Sequence, residues 1–261
     1  MAISANSIIH YTEEFDTLKS IISDSGFKIK YCSEKVVTRG NKSYSLGIAM
    51  VSFCDIPLSE YKKHFKNQST NKLGYYGDYG IGLSKEWAVK KGLNPVLYID
   101  NKSNVGTALR KTIELYMGTG KSENETYFNL KAFQQDEFAQ FACYSKNYQG
   151  DLYRHNKLAK KGYRYYDERE WRYVPQPDEI GKRRVILKEE EYSANRDVFN
   201  GGVSSYRLNF SLSDISYIII KDNSELEDLI KVILNIVKET DPKFRLLLTK
   251  IITSDQILND F

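Results

Sequence analysis

Ser7-Ile8-Ile9-His10-Tyr11-Thr12 is the first segment of the chain with an apolar run. It begins the succession of short strands and helices from which we predict the fold. Its β-branched residues favour a strand that ends near the histidine. Thr12 then offers a helix cap, and two glutamates follow where the positive end of a helix favours them. Apolar residues recur at helical spacing up to Gly26, so we predict a strand followed by a helix.

A second segment, Tyr79-Gly80-Ile81-Gly82-Leu83-Ser84, predicts a strand that Ser84 links to a short helix at 85–91. Glycine permits positive φ and lets a ligand approach the backbone closely. The same glycines also suit a tight turn between strands. Both interpretations stay open at this segment.

A third segment, Glu168-Arg169-Glu170-Trp171-Arg172, lies in a predicted strand at 165–174. Side chains alternate along a strand, so both glutamates should share one face. Two carboxylates on one face repel each other unless something compensates them. Either Arg172 pairs with them on a solvent-facing strand, or they form a catalytic pair in which Glu170 stabilises developing positive charge and Glu168 orients or deprotonates an acceptor.

The remaining pattern predicts further short strands and several helices in an α+β fold. The strands are expected at 27–31, 49–53, 95–99, 214–220 and 244–251, the helices at 102–117, about 125–145, 225–238 and 254–258, and a loop or short helix at 60–75. No linker-like stretch divides the chain, so we predict one domain over residues 1–261. Residues 1–200 would form its core, and residues 201–261 a C-terminal strand-helix-strand layer packed on that core.

Composition places few limits on function. The chain is 41% hydrophobic and 28% charged with a net charge of +4, which suits a globular protein and allows a nucleic-acid or nucleotide partner. The three cysteines, Cys32, Cys54 and Cys143, are unclustered, so we expect free thiols and no metal site. No apolar stretch approaches the roughly 20 residues that span a bilayer, and the N-terminus lacks signal-peptide features, so we predict a cytoplasmic protein without a membrane partner.

Basic and aromatic residues interleave between 144 and 172. Lys157, Lys160, Lys161 and Arg164 are candidates for binding a macromolecular acceptor, since cations beside tyrosines suit phosphate contacts and stacking. Charge runs more often face water without a partner. A lone histidine such as His10 likewise has two interpretations, a packed core residue or a hydrogen-bond donor to a ribose hydroxyl.

Four segments resemble the AbiGi family of bacterial abortive-infection proteins, which are described as antitoxins of a two-gene phage-resistance system. They are Ser7-Ile8-Ile9-His10-Tyr11-Thr12, Met50-Val51-Ser52-Phe53-Cys54-Asp55-Ile56-Pro57-Leu58-Ser59, Tyr79-Gly80-Ile81-Gly82-Leu83-Ser84-Lys85-Glu86-Trp87 with Gly92-Leu93-Asn94-Pro95-Val96, and Tyr166-Asp167-Glu168-Arg169-Glu170-Trp171-Arg172-Tyr173-Val174-Pro175. This resemblance implies a role in phage defence and a partner encoded by a neighbouring gene.

A more distant resemblance concerns chemistry. His10-Tyr11-Thr12, the glycine-containing strand and Glu168-Arg169-Glu170 are similar to motifs of DarT-type and PARP-type ADP-ribosyltransferases. That likeness implies a split β-sheet core with peripheral helices, NAD as substrate without a metal, and Glu170 and Glu168 as catalytic residues. The cofactor-binding residues it implies are His10, Tyr11, Thr12, Ser52, Tyr79, Gly80, Ser84 and Trp87.

Two functions are therefore predicted from the sequence. The first is transfer of ADP-ribose from NAD to a protein or nucleic acid, which requires His10 and Glu170 to converge on one cleft bordered by residues 77–87. The second is a non-catalytic antitoxin that binds and neutralises a partner toxin.

Overall fold

The computed structural model describes residues 5–39, 42–60, 77–116, 138–154 and 157–260, which mix helices with strands. The strands are β1 Ser7–Thr12, β2 Gly26–Lys28, β3 Lys30–Arg39, β4 Lys42–Cys54, β5 Tyr79–Ser84, β6 Asn94–Pro95, β7 Leu97–Ile99, β8 Ser145–Asn147, β9 Gly150–Arg154, β10 Lys157–Tyr163, β11 Glu170–Tyr173, β12 Ile186–Lys188, β13 Arg207–Asn209, β14 Ile215–Ile220 and β15 Ile251–Thr253.

The helices, in chain order, are α1 Phe15–Asp24, α2 Lys85–Lys90, α3 Asn104–Tyr116, α4 Phe138–Tyr144, α5 Glu189–Ala194, α6 Arg196–Val203, α7 Leu226–Leu234, α8 Pro242–Leu248 and α9 Ser254–Asp260. Short 3-10 turns lie at Leu58–Glu60, Tyr165–Glu168, Pro177–Ile180, Leu212–Asp214 and Asn223–Glu225. Across the described ranges, no helix is both long enough and apolar enough to cross a bilayer.

The central sheet has nine strands, seven of which run in the order β15-β14-β5-β1-β4-β11-β6. Strands β3 and β12 pair with the first part of β4, while β11 pairs with its last residues. Neighbours are antiparallel except β14 and β15, which are parallel. The long strand β4 therefore joins the β3 hairpin to the strands that carry the candidate site.

Both faces of this sheet are buried. Ile8, Phe53 and Ile81 belong to the large core on one face, whereas Ile9 and Cys54 pack in a smaller cluster on the other. Alternate residues of one strand thus enter different cores, which explains the continuous apolar runs of β1 and β14.

Several predicted strands differ from the structure. Of the strand predicted at 244–251, residues 244–248 instead belong to helix α8, because Asp241 accepts a hydrogen bond from the backbone of Lys243 at 2.8 Å and Pro242 occupies the first helical position. The long β3–β4 hairpin was predicted only at its two ends. Most of the segment predicted at 60–75, and the first part of the helix predicted at about 125–145, lie outside the described residues.

The ends of α1 also differ from the prediction. Glu14, and not Thr12, occupies the N-cap position, and no side chain caps the helix there. Ser25 takes the left-handed conformation at the C-terminus, with φ of 46°. Gly26 follows as the first residue of β2, where an added Cβ would lie 2.6 Å from Asn209 Oδ1. The glycine thus serves the close pairing of β2 with β13.

Candidate functional site

A fully buried arginine lies at the centre of the candidate site. Arg172 on β11 donates from Nε to Glu170 Oε1 at 2.6 Å and from Nη2 to Glu170 Oε2 at 3.1 Å. Its Nη2 also lies 2.8 Å from Glu34 Oε2 on β3, and its Nη1 donates to the backbone carbonyl of Cys143 at 2.8 Å. A single guanidinium therefore ties β3, α4 and β11 together.

A lysine completes the cluster. Lys146 on β8 donates to Glu168 at 3.0 Å and to Glu170 at 2.8 Å. We call Glu34, Lys146, Glu168, Glu170 and Arg172 the ion network. It holds three carboxylates and two cations, so its formal charge is negative by one unit.

Glu168 reaches the ion network by a route that strand alternation does not predict. It lies in the 3-10 turn Tyr165–Glu168, and Arg169 follows in the left-handed conformation with φ of 44°. The expected single strand at 165–174 is therefore wrong, since β11 begins only at Glu170. With Arg169 in this left-handed conformation, Glu168 and Glu170 both lie beside Lys146. The shared cation compensates the repulsion between the two carboxylates.

The charges in the ion network stabilise one another. Burial alone would raise the pKa of Glu170, but Arg172 and Lys146 outweigh it and lower that pKa to about 2. Burial alone would lower the pKa of Lys146 and of Arg172, yet the adjacent carboxylates raise both. Glu170 is consequently ionised, and its carboxylate oxygens already accept hydrogen bonds from Arg172 and Lys146.

His10 lies on the other face of the sheet from Glu170. Ile9 and Glu170 both oppose Cys54 in the strand register, so these three side chains share one face and His10 points to the opposite one. The expectation that His10 and Glu170 converge on one cleft is therefore wrong. Side-chain alternation along β1, combined with the register of β1, β4 and β11, separates them.

The His10 ring belongs to the larger core. It packs edge-on against Phe27 and Phe53, with ring centroids 5.1 and 5.6 Å away, and Nδ1 donates to the backbone carbonyl of Ser52 at 2.8 Å. Burial is the main cause that lowers the pKa of His10, and Lys30 adds to it against the Ser52 hydrogen bond. The imidazole is neutral and packed.

The glycines of β5 make room for tyrosines. A Cβ added to Gly80 would lie 3.1 Å from the Tyr11 ring, and one added to Gly82 would lie 3.0 Å from the Tyr217 ring. Gly77, with φ of 104°, lies against the backbone of Thr12, where a Cβ would approach the carbonyl oxygen to 1.9 Å. Close packing within the protein accounts for each of these glycines.

Three further residues of the predicted NAD site, Tyr79, Ser84 and Trp87, have internal partners. Tyr79 donates its hydroxyl to Glu225 at 2.7 Å. Ser84 caps α2 by accepting from the backbone of Trp87 at 3.2 Å, which confirms the predicted cap. Trp87 is buried and donates its indole nitrogen to the carbonyl of Asn209 at 3.3 Å.

The predicted acceptor-binding lysines lie on an exposed hairpin. Strands β9 and β10 form a two-stranded sheet of their own, which we call the basic hairpin. Lys157, Lys160 and Lys161 are exposed on β10, and Tyr153 and Leu158 are each 48% exposed. Arg164 follows the hairpin and pairs with Asp167 at 2.6 Å.

The ion network anchors the base of the basic hairpin. The Tyr163 hydroxyl hydrogen-bonds Glu168, and burial together with this carboxylate raises the pKa of Tyr163. Lys146 Nζ lies 5.2 Å from the centre of the Tyr165 ring, and the Tyr165 hydroxyl donates to the carbonyl of Asp151 at 2.8 Å. Buried charges thus hold the exposed strands in place.

A polar cavity of about 840 Å³ opens beside the ion network. It is lined by Ser33, Glu34, Lys35, Lys146, Asn147, Asp151, Leu152, Tyr153, Tyr165, Glu168, Glu189, Ser193 and Arg196. Glu34 and Lys146 have no distinguishing signal in the sequence, because their partners lie on other elements of the chain. Only the Glu168–Arg172 segment indicated this site.

These features define a mixed α/β protein in which a buried ion network supports a polar cavity and an exposed basic hairpin. A sequence model of the family described as "Putative abortive phage resistance protein AbiGi, antitoxin" matches residues 25–221, which is more than half of the chain. The chain belongs to the AbiGi family of phage-defence, abortive-infection proteins.

A curated relative supports this assignment. The "Abortive phage resistance protein AbiGi" of Lactococcus lactis subsp. cremoris is 26% identical over 228 residues, which cover 82% of this chain and 89% of the relative. No solved structure matches the chain significantly.

Proposed function

We propose that this protein is an antitoxin that neutralises a partner toxin by binding it through the basic hairpin. The exposed lysines and tyrosine of that hairpin carry the proposal, and the description of the family as an antitoxin supports it. Neutralisation by binding requires a stable, accessible surface and no reaction.

The hairpin suits side-chain recognition of an acidic partner. An isolated two-stranded hairpin is marginally stable, and here the ion network holds its base. The β9–β10 register is irregular at two places, between Leu158 and Lys160 and between Lys160 and Tyr163. Irregular, lysine-rich edges oppose strand addition, so the lysines and Tyr153 would make the contacts.

ADP-ribosyl transfer from NAD, on a split β-sheet resembling that of the transferases, is the other candidate. In that reaction Glu170 would face the positive charge of an oxocarbenium-like state, with His10 on the ribose. The geometry favours it less, because Arg172 and Lys146 already occupy Glu170 and His10 lies on the other face. Transfer to a protein or nucleic-acid acceptor stays a prediction.

Co-expression with the neighbouring toxin gene tests the proposal. The wild-type protein should be harmless alone and should restore growth, and a purified pair should form a complex. Lys160→Glu/Lys161→Glu should lose rescue and weaken the complex at least tenfold, since reversed rim charges repel an acidic partner. Lys238→Glu/Lys243→Glu, a charge-matched change at two exposed lysines elsewhere, should retain both.

Two results would overturn the proposal. One is rescue and complex formation that survive the hairpin reversal as well as they survive the control. The other is toxicity of the wild-type protein alone, with release of nicotinamide from NAD that Glu170→Gln abolishes, which would favour the transferase.

A further inference from the structure

The cavity beside the ion network has an excess of negative charge. Four carboxylates line it, those of Glu34, Asp151, Glu168 and Glu189, against three cations, Lys35, Lys146 and Arg196. Its volume of about 840 Å³ falls among pockets that take organic ligands or side chains, for which roughly 300–1,000 Å³ is usual. The lining thus suits an organic group that carries positive charge.

The three cations are engaged within the protein. Lys146 contacts Glu168 and Glu170. Lys35 Nζ lies 4.6 Å from the centre of the Tyr153 ring. The Arg196 guanidinium lies 5.3 Å from the centre of the Tyr192 ring. These three positive charges balance three of the four carboxylates, so the lining keeps one negative charge in excess.

Glu189 is a lining carboxylate that can accept a further hydrogen bond. Its Oε1 accepts from the Ser193 hydroxyl at 2.6 Å, whereas its Oε2 is inaccessible to solvent and has no hydrogen-bond partner among the described residues. A buried oxygen of this kind is costly unless a donor reaches it. Rotation of the Glu189 side chain would bring this oxygen to the cavity, where a charged donor would form the strongest such bond with it.

We propose that this cavity receives a cationic side chain, lysine or arginine, of the partner toxin, with Glu189 as a direct contact. This inference rests on the proposed antitoxin function. Asp151 and Tyr153 of β9 line the cavity, so a toxin bound to the basic hairpin would also lie over its opening. The excess of carboxylates opposes phosphate groups, and a bare metal ion would occupy only a small part of the volume.

Isolated protein can test the cavity without the toxin. Argininamide should raise the melting temperature and should bind by calorimetry, whereas citrullinamide, in which a neutral ureido group replaces guanidinium, should do neither. Glu189→Gln should weaken argininamide binding about tenfold, the scale of one charge-assisted hydrogen bond. Glu190→Gln, a change at the exposed neighbouring residue, should leave it unaltered.

Equal effects of argininamide and citrullinamide, or of Glu189→Gln and Glu190→Gln, would overturn the proposal. A second experiment measures binding to the toxin. There, Glu189→Gln should weaken the complex of this protein with the toxin about tenfold, while the contacts of the basic hairpin stay intact. A complex that depends on Lys160 and Lys161 but not on Glu189 would refute the cavity and keep the antitoxin. No complex with wild-type protein would instead refute the antitoxin.

Discussion

Strands β10 and β11 carry charges in opposite environments although only six residues separate them in the chain. Lys157, Lys160 and Lys161 on β10 are exposed, whereas Glu170 and Arg172 on β11 are buried and bonded to each other. Removing one partner of a buried pair leaves an uncompensated charge, while an exposed lysine remains solvated. Charged side chains therefore serve stability on β11 and are available to a partner on β10.

Arg172→Met should show the largest effect. It leaves Glu34 and Glu170 buried without their guanidinium, so the free energy of unfolding should fall by about 3–5 kcal/mol. Urea unfolding at neutral pH measures this loss. Lys160→Met is the matched control on the exposed strand, expected within about 0.5 kcal/mol of wild type. Similar losses for both variants would remove the distinction between the two strands.

Acid should reveal the contribution of Glu170. Its pKa in the folded protein, about 2, lies below the usual 4.5, so its stabilisation is complete above pH 4.5 and is lost as the pH falls towards 2. The full loss is of the order of 3 kcal/mol, at roughly 1.4 kcal/mol per pKa unit. Glu170→Gln should flatten the stability profile in this window, and Glu190→Gln should retain it. An unchanged profile for Glu170→Gln would contradict the ion network.

His10 should produce a smaller effect at higher pH. Because burial lowers its pKa in the folded state, the unfolded chain binds a proton first, and stability should fall as the pH drops below about 6.5. The slope contributed by one histidine is at most about 1.4 kcal/mol per pH unit. Thermal unfolding of His10→Gln between pH 7.5 and 5.5 should lack this component. A slope equal to that of wild type would place His10 in solvent.

The smallest change in stability is expected for Lys160→Ala/Lys161→Ala, within about 0.5 kcal/mol. Its effect should appear in partner binding, which should weaken more at low than at high salt because salt screens exposed charges. Titration of the complex at several salt concentrations measures this. Binding that is unaltered at every concentration would mean that these lysines only solvate the hairpin.

Local patterns were sufficient to predict several elements. The apolar runs of β1 and β5 and the Ser84 cap of α2 appear where propensity and capping place them. The strand predicted at 244–251 fails because Asp241 and Pro242 start a helix that continues to Leu248. That signal was present in the sequence and is purely local.

The candidate site was predictable only in part. The sequence predicts that Glu168 and Glu170 form a pair that needs compensation, but two other members of the network, Lys146 and Glu34, come from β8 and β3. The motif that contains His10 predicts the same cleft, whereas the register of β1, β4 and β11 places His10 on the other face. A shift of one residue changes the face, and no local pattern specifies it.

The sequence by itself determined the family, the combination of helices with short strands, and the concentration of charge near the third segment. Each of these depends on residue identity and short-range spacing. Only the tertiary structure decided which charges are buried, which cation each carboxylate meets, and which face His10 occupies. Those outcomes depend on strand order and register between separate elements of the chain, where desolvation and long-range pairing, not local propensity, set the energy.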